Sequence, residues 1–307
     1  MFSLRPMLAK DFDQVAELIF LSTNSWYQQH LGNRVFQGKP EDCRLFCEVY
    51  EDLDPGCGIV VEKVKTGSLV GSGFYHPRET HVSLGIMNVH PSHFGDGVAG
   101  RLMRHIIKEA EVRQLPLRLI SSALNLDSFS LYSRCGFTPT DIYQDMLMEV
   151  PREGLPNPGK SLPTVREAEL TDLVAMGRVE FEVSGISRER DYCYFLENTG
   201  DRWTTLVSES EEGEVDGFLV SINEPATRMI GPGVASSPEA AEALLRGQLD
   251  RFRDETVVFL VPGSCRELIE AAYGWGARNI EIHFTQVRGE AQPVAGIVIP
   301  AFLPESA

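Results

Sequence analysis

Two clusters along this chain have the residue types and spacing to do chemistry. The first runs from Val89 to Gly100 and reads VHPSHFGDGVAG, so that Gly95 to Gly100 spell G-x-G-x-x-G. Pro91 closes an extended run. Gly95 and Gly97 permit a tight turn and close approach of a ligand to the backbone. Val98, Leu102, Ile106 and Ala110 then recur every four residues, the stripe of an amphipathic helix. A glycine loop that feeds a helix N-terminus offers unbonded N–H groups and the positive end of the helix dipole, which suits a pyrophosphate. Asp96 is no ligand for an anion and is expected to face away. The second cluster reads NLDSFSLYSRCGF, or Asn125-x-x-Ser128-x-x-Leu131-Tyr132-x-x-x-Gly136-Phe137. On a helix Asn125, Ser128 and Tyr132 share one face. The amide can bind a ligand or cap the helix, and the phenol can donate a proton.

A G-x-G-x-x-G loop also occurs in dinucleotide folds, where an acidic residue about 20 positions on grips the ribose. Here the next strand is Leu117 to Ala123 and ends in Ser121, Ser122 and Ala123, with no acid at its tip. The glycine loop also follows three strands in a row, not an early strand–helix–strand unit. NAD is therefore disfavoured.

The elements that must position these clusters follow from hydrophobic periodicity. The first half reads strand, helix, helix, then three strands (GIVVEKVK, SLVGSGFYHP, HVSLGIMNVHP), helix, strand, helix, strand. Hairpin-joined strands pair antiparallel, while strand–helix–strand steps pair parallel. The expected class is α/β (α+β), with a mixed, mostly antiparallel sheet flanked by helices. Glu149 to Pro163 reads EVPREGLPNPGKSLP, too rich in proline and glycine for a regular element. It divides the chain into a domain over 1–150, a linker over 151–163 and a domain over 164–307. The halves correspond element by element. Arg5 and Asp11 lie six apart, as do Arg166 and Asp172, each pair at a strand-to-helix exit. Gly136 and Gly276 end corresponding helices. This order points to duplication of a whole domain.

On these motifs the first half resembles the GNAT superfamily of N-acetyltransferases, over about residues 3–149. The family's acyl-CoA loop, Gln/Arg-x-x-Gly-x-Gly/Ala after a V-x-P strand end, is matched by Val89-His90-Pro91 and by Gly97 and Ala99. Phe94 stands where Gln or Arg is usual. The downstream N-x-x-A/S-x-x-L-Y-x-x-x-G-F pattern is matched throughout. The resemblance implies acetyl-CoA as co-substrate, held by the backbone of Met87, Asn88 and Val89 on a splayed fourth strand, by Phe94, Gly95, Asp96, Gly97, Val98, Ala99 and Gly100 of the loop, and by Asn125, Ser128 and Tyr132. A backbone N–H on the fourth strand would stabilise the thioester oxyanion, and Tyr132 would protonate the departing thiolate. For the base that deprotonates the acceptor amine, His76, Glu79, His81 and Ser83 lie on or before that strand, and His81 is the expected choice. Trp26, Tyr27 and Phe36, around the first two helices, line an acceptor pocket or pack the halves together.

The second half resembles a degenerate copy. Its glycines in IGPGVASSPEAAEALL precede the strand end, Ser236, Ser237 and Pro238 read as a helix cap with Glu239 beside it, and Ala272 falls where Tyr132 stands in the first half. No acyl-CoA site is expected there. The competing class is a non-catalytic acyl-CoA sensor of the same fold.

Composition bounds the rest. Hydrophobic residues are 43% of the chain, enough to fill two cores. The net charge of −16 argues against nucleic acid, whose affinity comes from Lys/Arg clusters, and suits a cationic acceptor, a small-molecule or peptide amine. No stretch approaches the length of a membrane span. The N-terminal residues show no signal core, so a cytoplasmic location is expected. The six cysteines form no C-x-x-C and read as reduced thiols, with Cys43 and Cys47 as core residues and no metal site expected.

Overall fold

The computed structural model describes residues 1–305. Its elements are, in chain order, β1 (Phe2–Pro6), α1 (Phe12–Leu31), α2 (Arg44–Leu53), β2 (Gly58–Lys63), β3 (Leu69–Pro77), β4 (Val82–Val89), α3 (Val98–Arg113), β5 (Leu117–Ser122), α4 (Leu126–Arg134) and β6 (Thr138–Glu149). After the proline-rich stretch come β7 (Thr164–Glu167), α5 (Leu173–Ser184), α6 (Glu189–Glu197), β8 (Trp203–Glu209), β9 (Val215–Glu224), β10 (Thr227–Ala235), α7 (Pro238–Leu249), β11 (Thr256–Pro262), α8 (Arg266–Trp275), β12 (Arg278–Arg288) and β13 (Ile297–Ile299). The mixed, mostly antiparallel α/β class expected from periodicity is what forms.

Both halves open with the same clasp. Arg5 pairs with Asp11 at 2.7 Å and Glu62 at 2.8 Å, and Arg166 pairs with Asp172 at 2.7 Å and Glu209 at 2.7 Å. Asp11 Oδ2 also accepts the Leu8 N–H, and Asp172 Oδ2 the Glu169 N–H, at 2.9 and 2.8 Å. Each carboxylate thus satisfies a donor at a helix entry while tying the helix to its strand and to the neighbouring strand. The guanidinium holds both Asp11 and Asp172 below the usual carboxylate range.

The chain forms two compact units, and their boundary is not in the linker. One unit holds residues 1–77, 81–119 and 302–305, the other 78–80 and 120–301. In the first unit β1 to β4 form an antiparallel run, and β5 joins β4 in parallel. Gly71 and Gly73 of β3 face Val98, Leu102 and Ile106 of α3, where a Cβ on Gly71 would stand 2.5 Å from Val98. Phe74 and His76 point the other way, onto Tyr50 of α2. Helices therefore cover both faces of this sheet.

In the second unit β7 to β10 form a meander, β11 joins β10 in parallel, and β13 lies along β10. β6, which precedes the linker in sequence, is inserted between β11 and β12 and pairs antiparallel with both. Its Met146 and Met148, with Val150 just beyond, join a core of second-half residues that includes Leu244, Leu245, Phe259 and Leu268. The linker ends a stretch of chain without ending a unit of packing.

Candidate active site

β4 is released from β5 almost as soon as it starts. Their parallel pairing is Val82 with Leu117 and Ser83 with Arg118, and no β5 partner is found for Leu84–Val89 among the described residues. Against β3 the register runs from Tyr75/Leu84 to Gly73/Met87, so Gly85 and Ile86 together oppose Phe74. This is a β-bulge, which leaves backbone groups outside the ladder and twists the strand. Gly85 is required there because a Cβ would stand 2.8 Å from His76 Nε2 and 3.0 Å from Phe74. The stretch Met87–Val89 thus has one bonded edge, toward β3, and one edge not paired with β5. The Asn88 side chain turns toward α1, giving its Nδ2–H to Ser22 Oγ at 2.7 Å.

Beyond β4 the chain makes a short turn and enters α3 through the glycine loop. Gly95 and Gly97 have φ of 85° and 77°, the left-handed region that glycine takes without strain. Around the Cβ position of each there is open space out to 4 Å. Gly97 is the N-cap residue of α3 and no side chain caps that end. The first-turn N–H groups of Val98, Ala99 and Gly100 therefore have no intrahelical acceptor and, at the positive end of the helix dipole, suit an anion. Asp96 is turned onto His93, with Oδ2 at 2.9 Å from the ring Nδ1. Phe94 is exposed.

The second cluster lies in the other unit. Asn125 is the N-cap of α4, its Oδ1 accepting the Ser128 N–H at 3.0 Å, so the capping role left open by the sequence is filled. Tyr132 is buried on α4 and packs edge-on against Phe137, ring centroids 5.9 Å apart. Gly136 ends this helix region with φ of 85°.

Histidines flank β4. His81 is buried immediately before the strand and Ser83 is buried on it. His76 is also buried, its Nδ1 2.6 Å from Asp54 Oδ2. Around the first two helices, Phe36 is buried between Phe20 and Phe46, with its backbone held from both ends by Asn24 at 2.9 and 3.0 Å. Trp26 stacks on His30 at 4.5 Å and is half-buried. Cys43 and Cys47 are core residues, and burial pushes both thiols up to about 12.

Two polar groupings went unforeseen. Tyr50 of α2 donates to Glu305, a contact across 255 residues for which α2's apolar spacing gives no signal. Asp145 of β6 meets Glu281 and His283 of β12, the three offering donor atoms within 4.8 Å of one another. That meeting depends on strand insertion, which local pattern does not encode.

In the second half α7 begins as expected, Ser237 accepting the Ala240 N–H at 3.1 Å with Pro238 in the first turn. The end that stays open on α3 is closed on α7 by a side chain.

Comparison with known proteins follows this geometry. Residues 15–137 match the acetyltransferase (GNAT) family model, and residues 183–292 match a further acetyltransferase (GNAT) domain model. The chain belongs to the GNAT acetyltransferase family. Two matches in series make it a tandem GNAT-type N-acetyltransferase. Its fold is similar to that of a candidate acetyltransferase from Pyrococcus horikoshii, at 17% identity and a TM-score of 0.76, covering 99% of this chain and 95% of that one. It is also similar to a GCN5-related N-acetyltransferase from Sphaerobacter thermophilus, at 17% identity, a TM-score of 0.64 and coverage of 95% and 96%. A tandem GNAT protein from the clavulanic acid biosynthesis pathway gives 14% identity, a TM-score of 0.64 and coverage of 95% and 99%. A search of curated proteins found no match. No helix among the described residues of this tandem GNAT protein is long and apolar enough to cross a membrane.

Proposed function

We propose that this tandem GNAT protein transfers an acetyl group from acetyl-CoA directly to an amine, on a small molecule or a peptide. The observation that carries this reading is the release of β4 from β5 after Ser83, next to an uncapped α3 entered through Gly95 and Gly97. The pantetheine arm would bond to the backbone of Met87–Val89, and the pyrophosphate to the N–H groups between Phe94 and Gly100. Acetyl-CoA supplies the activated acyl carbon. Tyr132 is assigned as proton donor to the thiolate through its place in the N-x-x-S-x-x-L-Y motif, with Asn125 and Ser128 of that motif near the pantetheine. The sequence nominates His81 for the base. The net charge of −16 favours a cationic acceptor. The second half is proposed as a copy without its own acyl-CoA site, because Ser237 caps α7 and Glu239 adds charge in its first turn.

Calorimetric titration with acetyl-CoA tests the reading. Binding by the parent, lost in Gly97→Glu, is the expected result, and no binding by the parent would sink it. The exposed Phe94, in place of Gln or Arg, favours a second reading, a non-catalytic acyl-CoA sensor. Tyr132→Phe separates the two, since a sensor is indifferent to the hydroxyl.

A further inference from the structure

The tail segment Phe302–Glu305 belongs to the first compact unit and places a carboxylate in its interior. Glu305 is 9% exposed and receives a hydrogen bond from Tyr50, itself 2% exposed. The Tyr50 hydroxyl also lies 3.2 Å from the Phe302 carbonyl. No Lys, Arg or His among the described residues pairs with Glu305, and desolvation raises it to about 8. Keeping an ionisable carboxyl inside a fold without a cation is expensive, and folds retain such groups where they serve a reaction.

Its surroundings specify the reaction. The Tyr50 phenol meets the Ile86 backbone N–H, and Ile86 belongs to the β4 bulge. Glu305 and Tyr50 therefore back onto the turn of β4 that leads into Met87–Val89. Around the pair, α2 presents Phe46 and Cys47, with the thiol held neutral by burial. β3 presents Phe74 and His76, whose ring is 4.7 and 4.6 Å from the Tyr50 ring respectively, and His76 is held by Asp54 at the end of α2. β4 presents Gly85 and Ile86 backbone.

Resting on the acetyl-transfer reading, we propose that Glu305, positioned by Tyr50, is the base that takes the proton from the acceptor amine, in place of His81. An amine reaches the site as an ammonium ion. One N–H proton passes to the Glu305 carboxylate and frees the nitrogen lone pair. That nitrogen forms the C–N bond at the thioester carbonyl, the C–S bond breaks, and the departing thiolate takes a proton from Tyr132. The second proton that the nitrogen loses as the amide forms returns to the Tyr132 phenolate, and Glu305 gives its proton to water before the next turnover. A carboxyl that titrates near neutrality is well matched to this task. Tyr50 is a positioning residue: its hydrogen bond lowers the Glu305 value against the effect of burial.

The full chain is assayed with acetyl-CoA and two probe amines blocked at the α-amino group, Nα-acetyl-lysinamide and an N-acetylated peptide with one lysine. Their lysine side chain titrates at ~10.4, so a rising limb of kcat/KM at lower pH belongs to the protein. In the parent the limb is expected near pH 8. Glu305→Gln should lower kcat/KM about 100-fold or more and abolish the limb, with acetyl-CoA affinity unchanged. Tyr50→Phe should move the limb to higher pH, which a merely structural role would not do. Carbon NMR of the Glu305 carboxyl, assigned against Glu305→Gln, reads the same group without turnover. A midpoint in the ordinary carboxylate range overturns the proposal. So does a Glu305→Gln enzyme that keeps the limb while His81→Gln loses it. A parent that fails to bind acetyl-CoA would sink the acetyl-transfer reading instead, and the NMR midpoint would still stand.

Discussion

Residues 151–307 expressed without the first half should not fold. β6 supplies the strand between β11 and β12, so its removal leaves both with an unpaired edge. It also removes Met146, Met148 and Val150, exposed 0%, 1% and 3%, from the core of the second unit. Burial of such side chains contributes roughly 1.5–3 kcal/mol each, so the three together give about 5–9 kcal/mol. That equals much of the roughly 5–15 kcal/mol that separates a folded domain from its unfolded chain. Circular dichroism and thermal melting of the fragment should show no cooperative transition. A peptide spanning 138–150, added in trans, should restore one at concentrations above its dissociation constant. In the full chain Met146→Ala should cost about 2–5 kcal/mol, read by urea unfolding. If residues 151–307 melt cooperatively at the parent's temperature, the packing assigned to β6 does not hold the second unit together.

Four further predictions are independent of that one. Gly97→Ala should cost stability alone, about 1 kcal/mol from the left-handed φ, whereas Gly97→Glu should in addition raise the acetyl-CoA dissociation constant at least tenfold in calorimetry, because a carboxylate would face the pyrophosphate. Tyr132→Phe should lower kcat about 100-fold and leave acetyl-CoA affinity in place, as measured by thiol release and titration. Asp11→Asn and Asp172→Asn should each cost about 1–2 kcal/mol at neutral pH. The parent clasps, with Asp values held low, contribute stability above the ordinary carboxylate range that fades as pH falls through the lowered values, and the variants should lose that acid-side slope in urea titrations. Glu305 has the opposite sign. Its raised value makes the parent most stable below the ordinary carboxylate range and progressively less so as pH climbs through about 8, a slope that Glu305→Gln should remove.

Local signals carried the elements and the loop. The four-residue spacing from Val98 to Ala110 placed α3, Pro91 placed the end of β4, and the required φ at Gly95 and Gly97 is a property of single residues. The Arg5/Asp11 and Arg166/Asp172 spacings marked the repeated clasps because each couples residues only six apart, although the third partner in each, Glu62 or Glu209, comes from a neighbouring strand. What escaped was non-local. Tyr50 sits four residues from Phe46 on an apolar helix face and reads as core, which it is, except for a hydroxyl that meets a tail residue 255 positions away. His76 shows nothing in sequence that distinguishes it from His81, and only the fold supplies Asp54.

β6 shows where local pattern stops. Its alternating apolar residues state correctly that it is a strand, and the prolines after it state correctly that the chain then leaves regular structure. Neither says which strands it joins, because an antiparallel ladder is bonded through backbone groups that every sequence shares. Insertion of β6 beside β11 and β12 gives one unit a strand drawn from the other half of the chain. Loss of either half should therefore unmake that core, so the two copies have ceased to be separable folding units even though each keeps its own clasp, helices and hairpins. The second half can thus be retained for the core it builds around β6, and its α7 is closed by Ser237 where α3 stays open.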